Sequence, residues 1–165
     1  MTAVRLLEEL SEWRGGLSIP ADAIRAGLET AVWPARLELI RAHGLDVLID
    51  GAHNPAGARA LAAYVERTYA RRLPFVVGVM ADKNIEAVLA ALAREASHFV
   101  FTSPASLRAA TPAELVAVAE RVAPEVPAEP VETPGDAVDR AAGLGSPVVV
   151  AGSLYLAGEI RARLS

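Results

Sequence analysis

Asp50, His53 and Asn54 put a carboxylate, an imidazole and an amide into one short segment, Asp50-Gly51-Ala52-His53-Asn54-Pro55. The apolar run Val47-Leu48-Ile49 precedes it, and an alanine-rich stretch from Ala56 to Tyr69 with helical spacing follows. A buried strand therefore delivers ionisable and hydrogen-bonding groups into the turn that opens a helix. In an open parallel sheet, ligands bind outside the carboxyl ends of the strands. Unpaired N–H groups and the positive end of the helix dipole at such a turn suit an anion such as phosphate.

Other strand ends repeat the arrangement. Asp82, Lys83 and Asn84 follow Met80; Thr102 and Ser103 follow Phe101; Gly152, Ser153 and Tyr155 follow Ala151. If the strands are parallel, these groups converge on one edge over an apolar scaffold, as a small-molecule site requires. Each also has a structural reading. Asp50, Asn54 and Ser153 are helix-capping types, His53 can be satisfied by backbone, and Asp82-Lys83 can be a turn ion pair of little energetic weight. His43, in a presumed hairpin tip, and His98, at a strand start, are assigned no chemistry.

The elements that must position these groups are legible from periodicity and caps. Ala3 to Trp13 reads as an amphipathic helix broken by Gly15-Gly16, and a second short helix starts at Ser18-Ile19-Pro20 and ends near Gly27-Leu28. From Arg36 onward strands and helices alternate. Leu37 to Ile40 and Val47 to Ile49 flank His43-Gly44 as an antiparallel hairpin. Strands are expected at Phe75–Met80, His98–Phe101, Val131 and Val148–Ala151, with helices at Ala56–Tyr69, Ile85–Arg94, after Thr111, after Thr133 and from Leu154. Thr111-Pro112-Ala113-Glu114 is a capping box with proline at the first helical position. The fold class is α/β: a mostly parallel sheet of about six strands, helices on both faces and an antiparallel hairpin at its start. Residues 1–33 read as a helical remnant of a preceding domain, and residues 34–165 as the α/β domain.

Bulk properties narrow the function. The 165 residues suffice for one domain with a substantial core. No apolar run approaches the roughly 20 residues of a membrane helix, and a cytoplasmic location and no membrane partner are expected. A net charge of −4, without a basic stripe, argues against nucleic acid. Arg71, Arg72, Arg161 and Arg163 read as solvated helix-end cations. With no cysteine, disulfides and cysteine metal sites are excluded, and the three histidines lack trustworthy metal-ligand spacing. The Gly-x-Ser-x-Gly elbow, the Gly-x-Gly-x-x-Gly fingerprint and the Gly-Lys-Ser/Thr phosphate loop are missing.

Four motifs occur in order: Trp33-Pro34-Ala35-Arg36-Leu37-Glu38, Asp50-Gly51-Ala52-His53-Asn54-Pro55, Gly78-Val79-Met80-Ala81-Asp82-Lys83 and Gly152-Ser153-Leu154-Tyr155-Leu156. Together they resemble the carboxy-terminal portion of the folylpolyglutamate synthase / dihydrofolate synthase family, within the Mur ligase superfamily. The resemblance implies an ATP-dependent ligase that adds L-glutamate to dihydropteroate or to a folate. The acceptor carboxylate takes the γ-phosphoryl group, and the glutamate amine displaces phosphate from the acyl phosphate.

Position by position, the resemblance implies that Arg36 contacts ATP phosphates, Asp50 and Asn54 contact the nucleotide, and His53 is catalytic. Ser153, Tyr155, Asp82 and Lys83 would bind glutamate or acceptor. Mg2+ would accompany ATP, with its ligands in a central ATPase domain outside this chain, so the isolated chain is expected to be inactive. Alanine stands where the family often has glycine, at Ala35, and asparagine where it often has aspartate, at Asn84. Ala35 disfavours positive φ, whereas Asn84 can still cap its helix. A Mur-type peptidoglycan ligase domain and a non-catalytic binding module are the alternatives.

Overall fold

A computed structural model describes residues 3–13 and 19–165. Contacts divide the chain into two compact units, Met1–Trp33 and Pro34–Ser165. In the first, helices α1 (Ala3–Trp13) and α2 (Ala21–Glu29) follow the expected apolar spacing. Val4, Leu7, Ile24 and Leu28 line one apolar cavity of about 240 Å3. Leu6, Leu10 and Trp13, on successive turns of α1, stay exposed. The expected break at Gly15-Gly16 and helix start at Ser18 lie outside the described residues.

The second unit runs β1 (Glu38–Ala42), β2 (Leu45–Ile49), α3 (Pro55–Thr68), β3 (Leu73–Val77), α4 (Ile85–Ala93), β4 (Ala96–Phe101), α5 (Pro112–Val122), β5 (Ala128–Pro130), α6 (Pro134–Ala142), β6 (Val148–Ala151) and α7 (Leu154–Leu164). The six strands lie in the order β1-β2-β6-β3-β4-β5. β1 pairs antiparallel with β2, and every other pairing is parallel. His43 and Gly44 turn the hairpin with φ of 53° and 76°, the left-handed pair that matches strand twist. The expected α/β architecture is the observed one.

Side-chain alternation sends each strand's residues to two cores. Leu48, Phe75, Val77, Phe99, Phe101 and Val149 meet α3, α4 and α5 on one face. Val47, Ile49, Val76, Val100, Val148 and Val150 meet α6 and α7 on the other. β6 is central and covered on both sides, which explains its unbroken apolar run. Burying each large side chain contributes about 1.5–3 kcal/mol.

Two strand expectations shift. The strand expected at Phe75–Met80 begins at Leu73 and ends at Val77, and Met80 forms an isolated antiparallel bridge with Ala109. The short strand expected at Val131 is Ala128–Pro130. Val131 still donates its N–H to the Phe101 carbonyl at 2.8 Å, one bond beyond the strand. Proline is tolerated there because β5 is an edge strand.

Candidate functional site

β2 and β6 are neighbours, yet α3, which follows β2, covers one face and α7, which follows β6, covers the other. Helices leaving adjacent strands on opposite sides open a crevice at the carboxyl edge. Its sides are stitched by backbone, with Gly152 N–H donating to the Ala52 carbonyl at 2.8 Å. Gly152 has φ +107°, and a Cβ there would lie 2.6 Å from the Gly78 carbonyl oxygen. Only glycine permits that approach. A cleft of about 170 Å3 results, lined by His53, Met80, Lys83, Arg108, Ser153 and Tyr155, with Leu154 beside them.

His53 opens α3, and its Nδ1 lies 2.8 Å from the Gly51 carbonyl oxygen. A carbonyl only accepts, so Nδ1 carries the proton and Nε2 of the neutral ring keeps its lone pair. Asn54 is the N-cap of α3, its Oδ1 accepting from Gly57 N–H at 2.9 Å. Ser153 caps α7 in the same way, accepting from Leu156 N–H at 3.0 Å while 2% exposed. Its hydroxyl proton remains to be donated. Tyr155 is 57% exposed at the mouth. Asn84 does cap α4, through Ala87 N–H at 3.0 Å.

Beyond β3, Asp82 Oδ2 accepts from Lys83 Nζ at 3.2 Å and from Arg108 Nη2 at 2.8 Å. The Lys83 hydrogen bond, with further help from the Arg108 charge, holds the Asp82 carboxyl below its ordinary range. Arg108 was not among the residues the sequence singled out. It sits in the loop after β4, and the Met80–Ala109 bridge folds that loop back against the turn after β3. Only that long-range pairing makes it part of the cleft.

Arg36 and Asp50 form a second corner. Because β1 is antiparallel, Glu38 at its start stands opposite Ile49 at the end of β2. The residues before β1 therefore reach the carboxyl edge. Asp50, 2% exposed, turns both oxygens onto backbone, accepting Ala52 N–H at 2.9 Å and Leu37 N–H at 3.0 Å. Gly51 N–H donates to the Ala35 carbonyl at 2.8 Å, and Ala35 N–H donates to Glu38 Oε2 at 2.8 Å. Ala35 and Leu37 have φ of 57° and 48°, so the turn adopts the left-handed form without glycine. Each non-glycine residue there costs about 1–2 kcal/mol. Between them Arg36 is exposed, and among the described residues no hydrogen bond or ion pair holds its guanidinium.

The structure thus brings His53, Lys83, Ser153 and Tyr155 into one cleft with Arg108, with Asp82 at its margin. Arg36 and Asp50 join it through Gly51 and Ala52. Asn54 caps its own helix through Oδ1, which leaves its amide N–H groups able to donate. Three arginines read as solvated are in fact bonded: Arg71 to the Ser146 carbonyl, Arg161 to Glu38, and Arg163 to Asp139 and the Gly135 carbonyl.

Comparison with known proteins gives this geometry a family. The family model described as "Mur ligase, glutamate ligase domain" matches residues 35–154. The chain belongs to the Mur ligase glutamate ligase domain family. It is 38% identical over 128 residues to the dihydrofolate synthase/folylpolyglutamate synthase of Mycobacterium tuberculosis, covering 76% of this chain and 26% of that protein. It is 33% identical to the folylpolyglutamate synthase of Lacticaseibacillus casei over 86% of this chain and 32% of that protein. A structure of M. tuberculosis folylpolyglutamate synthase complexed with ADP and AMPPCP superposes with a TM-score of 0.81 at 34% identity, covering 91% of this chain and 36% of that one. The chain spans about a quarter to a third of these curated relatives. The likeness to folate ligases expected from the four motifs holds.

Proposed function

We propose that this chain is the glutamate-ligase part of an ATP-dependent enzyme joining L-glutamate to dihydropteroate or a folate, and that it supplies one wall of the site. Residues 1–33 are then the tail of the preceding ATPase domain. The observation that carries the reading is the convergence of His53, Lys83, Arg108 and Ser153 on one cleft at two helix N-termini, with the Arg36 turn hydrogen-bonded to Gly51 beside it. A related structure with Mn, AMPPNP and L-glutamate bound, 26% identical with a TM-score of 0.75, supports the same ligand set.

Each residue has a task that its geometry permits. Arg36 offers a forked, permanently charged donor to the phosphates of ATP, and Asp50 fixes the turn that presents it. Lys83 and Arg108 suit the carboxylates of glutamate, and Ser153 has a hydroxyl proton to add. His53 Nε2 can take the proton that the glutamate amine must lose before it attacks, a contribution of about 10²–10⁴-fold in such catalysts. Asn54 and Asp82 act by holding α3 and the cation pair. Among the described residues no three His, Cys, Asp or Glu side chains are grouped to hold a metal ion. The Mg2+ that would accompany ATP is proposed to be held by the central ATPase domain of the full enzyme.

An amide-shift titration of the 165-residue chain with MgATP and L-glutamate tests the reading. Displacements at Gly51–Asn54 and Gly152–Tyr155 are expected, with no product from ATP, glutamate and dihydropteroate by the chain alone. Displacements confined to the groove between α3 and α4, lined by Arg59, Ala63, Glu66, Ala87 and Arg94, would overturn the assignment.

A further inference from the structure

The turn that carries Arg36 is held from a direction the reaction does not explain. Arg161, in the last turn of α7, donates Nε–H to Glu38, lying 3.1 Å from both Oε1 and Oε2. Glu38 Oε2 also accepts Ala35 N–H at 2.8 Å. A chain of contacts thus runs from the far end of α7, through one carboxylate, to the residue before Arg36. Buried Ile160 and Leu164 fix that end of the helix to the core, so Arg161 works from a rigid base.

Glu38 is two residues from Arg36 and only partly buried, at 24% side-chain exposure. Two residues along the chain from a guanidinium, a carboxylate is its natural competitor once released from other partners. In this arrangement the competition is suppressed, because Glu38 has one oxygen on the Ala35 amide and its charge balanced by Arg161. We propose that Arg161 and Glu38 are positioning residues: Arg161 neutralises Glu38 and keeps it on the Ala35 N–H, which leaves Arg36 unpaired for a nucleotide phosphate. The proposal deepens the reading of Arg36 as a phosphate contact and rests on it. Neither Glu38 nor Arg161 touches the ligand.

Charge and geometry make separable demands on Glu38. Glutamine keeps an acceptor for Ala35 N–H but carries no charge to attract Arg36. Four variants are compared for MgATP affinity by amide-shift titration and for hydrogen exchange at the Ala35 amide. Arg161→Met is expected to weaken MgATP binding roughly three- to tenfold and to speed exchange at Ala35. Glu38→Gln alone stays within about twofold of the parent, and adding Glu38→Gln to Arg161→Met restores both readouts. Arg161→Lys, which keeps the charge, also retains affinity. A double variant no better than Arg161→Met would overturn the proposal, because loss of helix packing cannot be repaired by changing Glu38. Unchanged affinity and exchange in Arg161→Met would overturn it too. Arg36→Met serves as the control for the underlying assignment. If it binds MgATP as the parent does, the phosphate role of Arg36 falls, while exchange at Ala35 still reports the clamp.

Discussion

At the Arg36 turn, the carboxylates of Asp50 and Glu38 accept backbone N–H groups, and among the described residues the Arg36 guanidinium has no partner. At the turn after β3, one exposed carboxylate, Asp82, holds two cations, Lys83 and Arg108. The first corner uses acids to set shape, and its charge is left available. The second uses an acid to moderate charge, with bonds that solvent weakens. At the first, hydrogen bonds set the backbone of the turn while the guanidinium stays free to reach an anion. At the second, under the proposed function, an arriving glutamate carboxylate would exchange places with Asp82 at small net change. A backbone set in advance lowers the cost of ordering the turn around an anion, whereas an exposed ion pair costs little to exchange.

Removing the inward carboxylate should break the contrast most severely. Asp50→Ala leaves Leu37 and Ala52 N–H groups without acceptors, and a cost of about 2–4 kcal/mol is expected in urea denaturation. Asp50→Asn retains one acceptor and should cost less. A loss as small as that of an exposed surface substitution would mean that Asp50 does not hold the turn.

Relaxing the backbone strain should sharpen the contrast. Glycine at Ala35 removes a left-handed penalty and adds freedom to the unfolded chain, for a net gain of about 0.5–1 kcal/mol. Thermal melting of Ala35→Gly checks the sign. A lower melting temperature would show that the φ of 57° is not strained in this setting.

The smallest effect belongs to the exposed corner. Asp82→Asn should leave melting nearly unchanged and tighten L-glutamate binding roughly twofold by freeing Lys83 and Arg108. Because the Lys83 hydrogen bond lowers the Asp82 pKa, the carboxylate stays ionised through neutral pH. Whatever the pairing adds to stability is present above the unfolded-state value and disappears as pH falls through the depressed folded-state value. An NMR titration of the Asp82 carboxyl should therefore show a midpoint below that of an ordinary aspartate. A raised midpoint would mean that Lys83 and Arg108 do not hold it in solution.

Local sequence announced most elements because their signals are local. Thr111 and Glu114 form the reciprocal capping box that their spacing anticipates, and Val148–Ala151 is the central strand its apolar run requires. What stayed hidden depends on distant partners. Nothing near Leu107-Arg108 marks Arg108 as a cleft residue until Ala109 pairs with Met80. Asp50 reads as a cap or a contact from its neighbours, and its bond to Leu37 exists only because the hairpin brings the residues together. Alanine avoids positive φ, so only the glycine that the family often has at Ala35 hinted at it; the bonds to Glu38 and from Gly51 hold the turn in that form. β5 was displaced by three residues because pairing with β4 outweighs the low strand propensity of a proline-rich run.

The reversed direction of β1 also has an engineering use. Its first residue pairs with Ile49 at the carboxyl edge of the sheet, and its last pairs with Leu45 at the opposite edge, so the His43-Gly44 bend is about 15 Å away. A dye or an affinity handle grafted into that bend would ride on the same ribbon as Arg36 yet stand clear of anything bound there, giving a built-in reporter of how the ribbon moves.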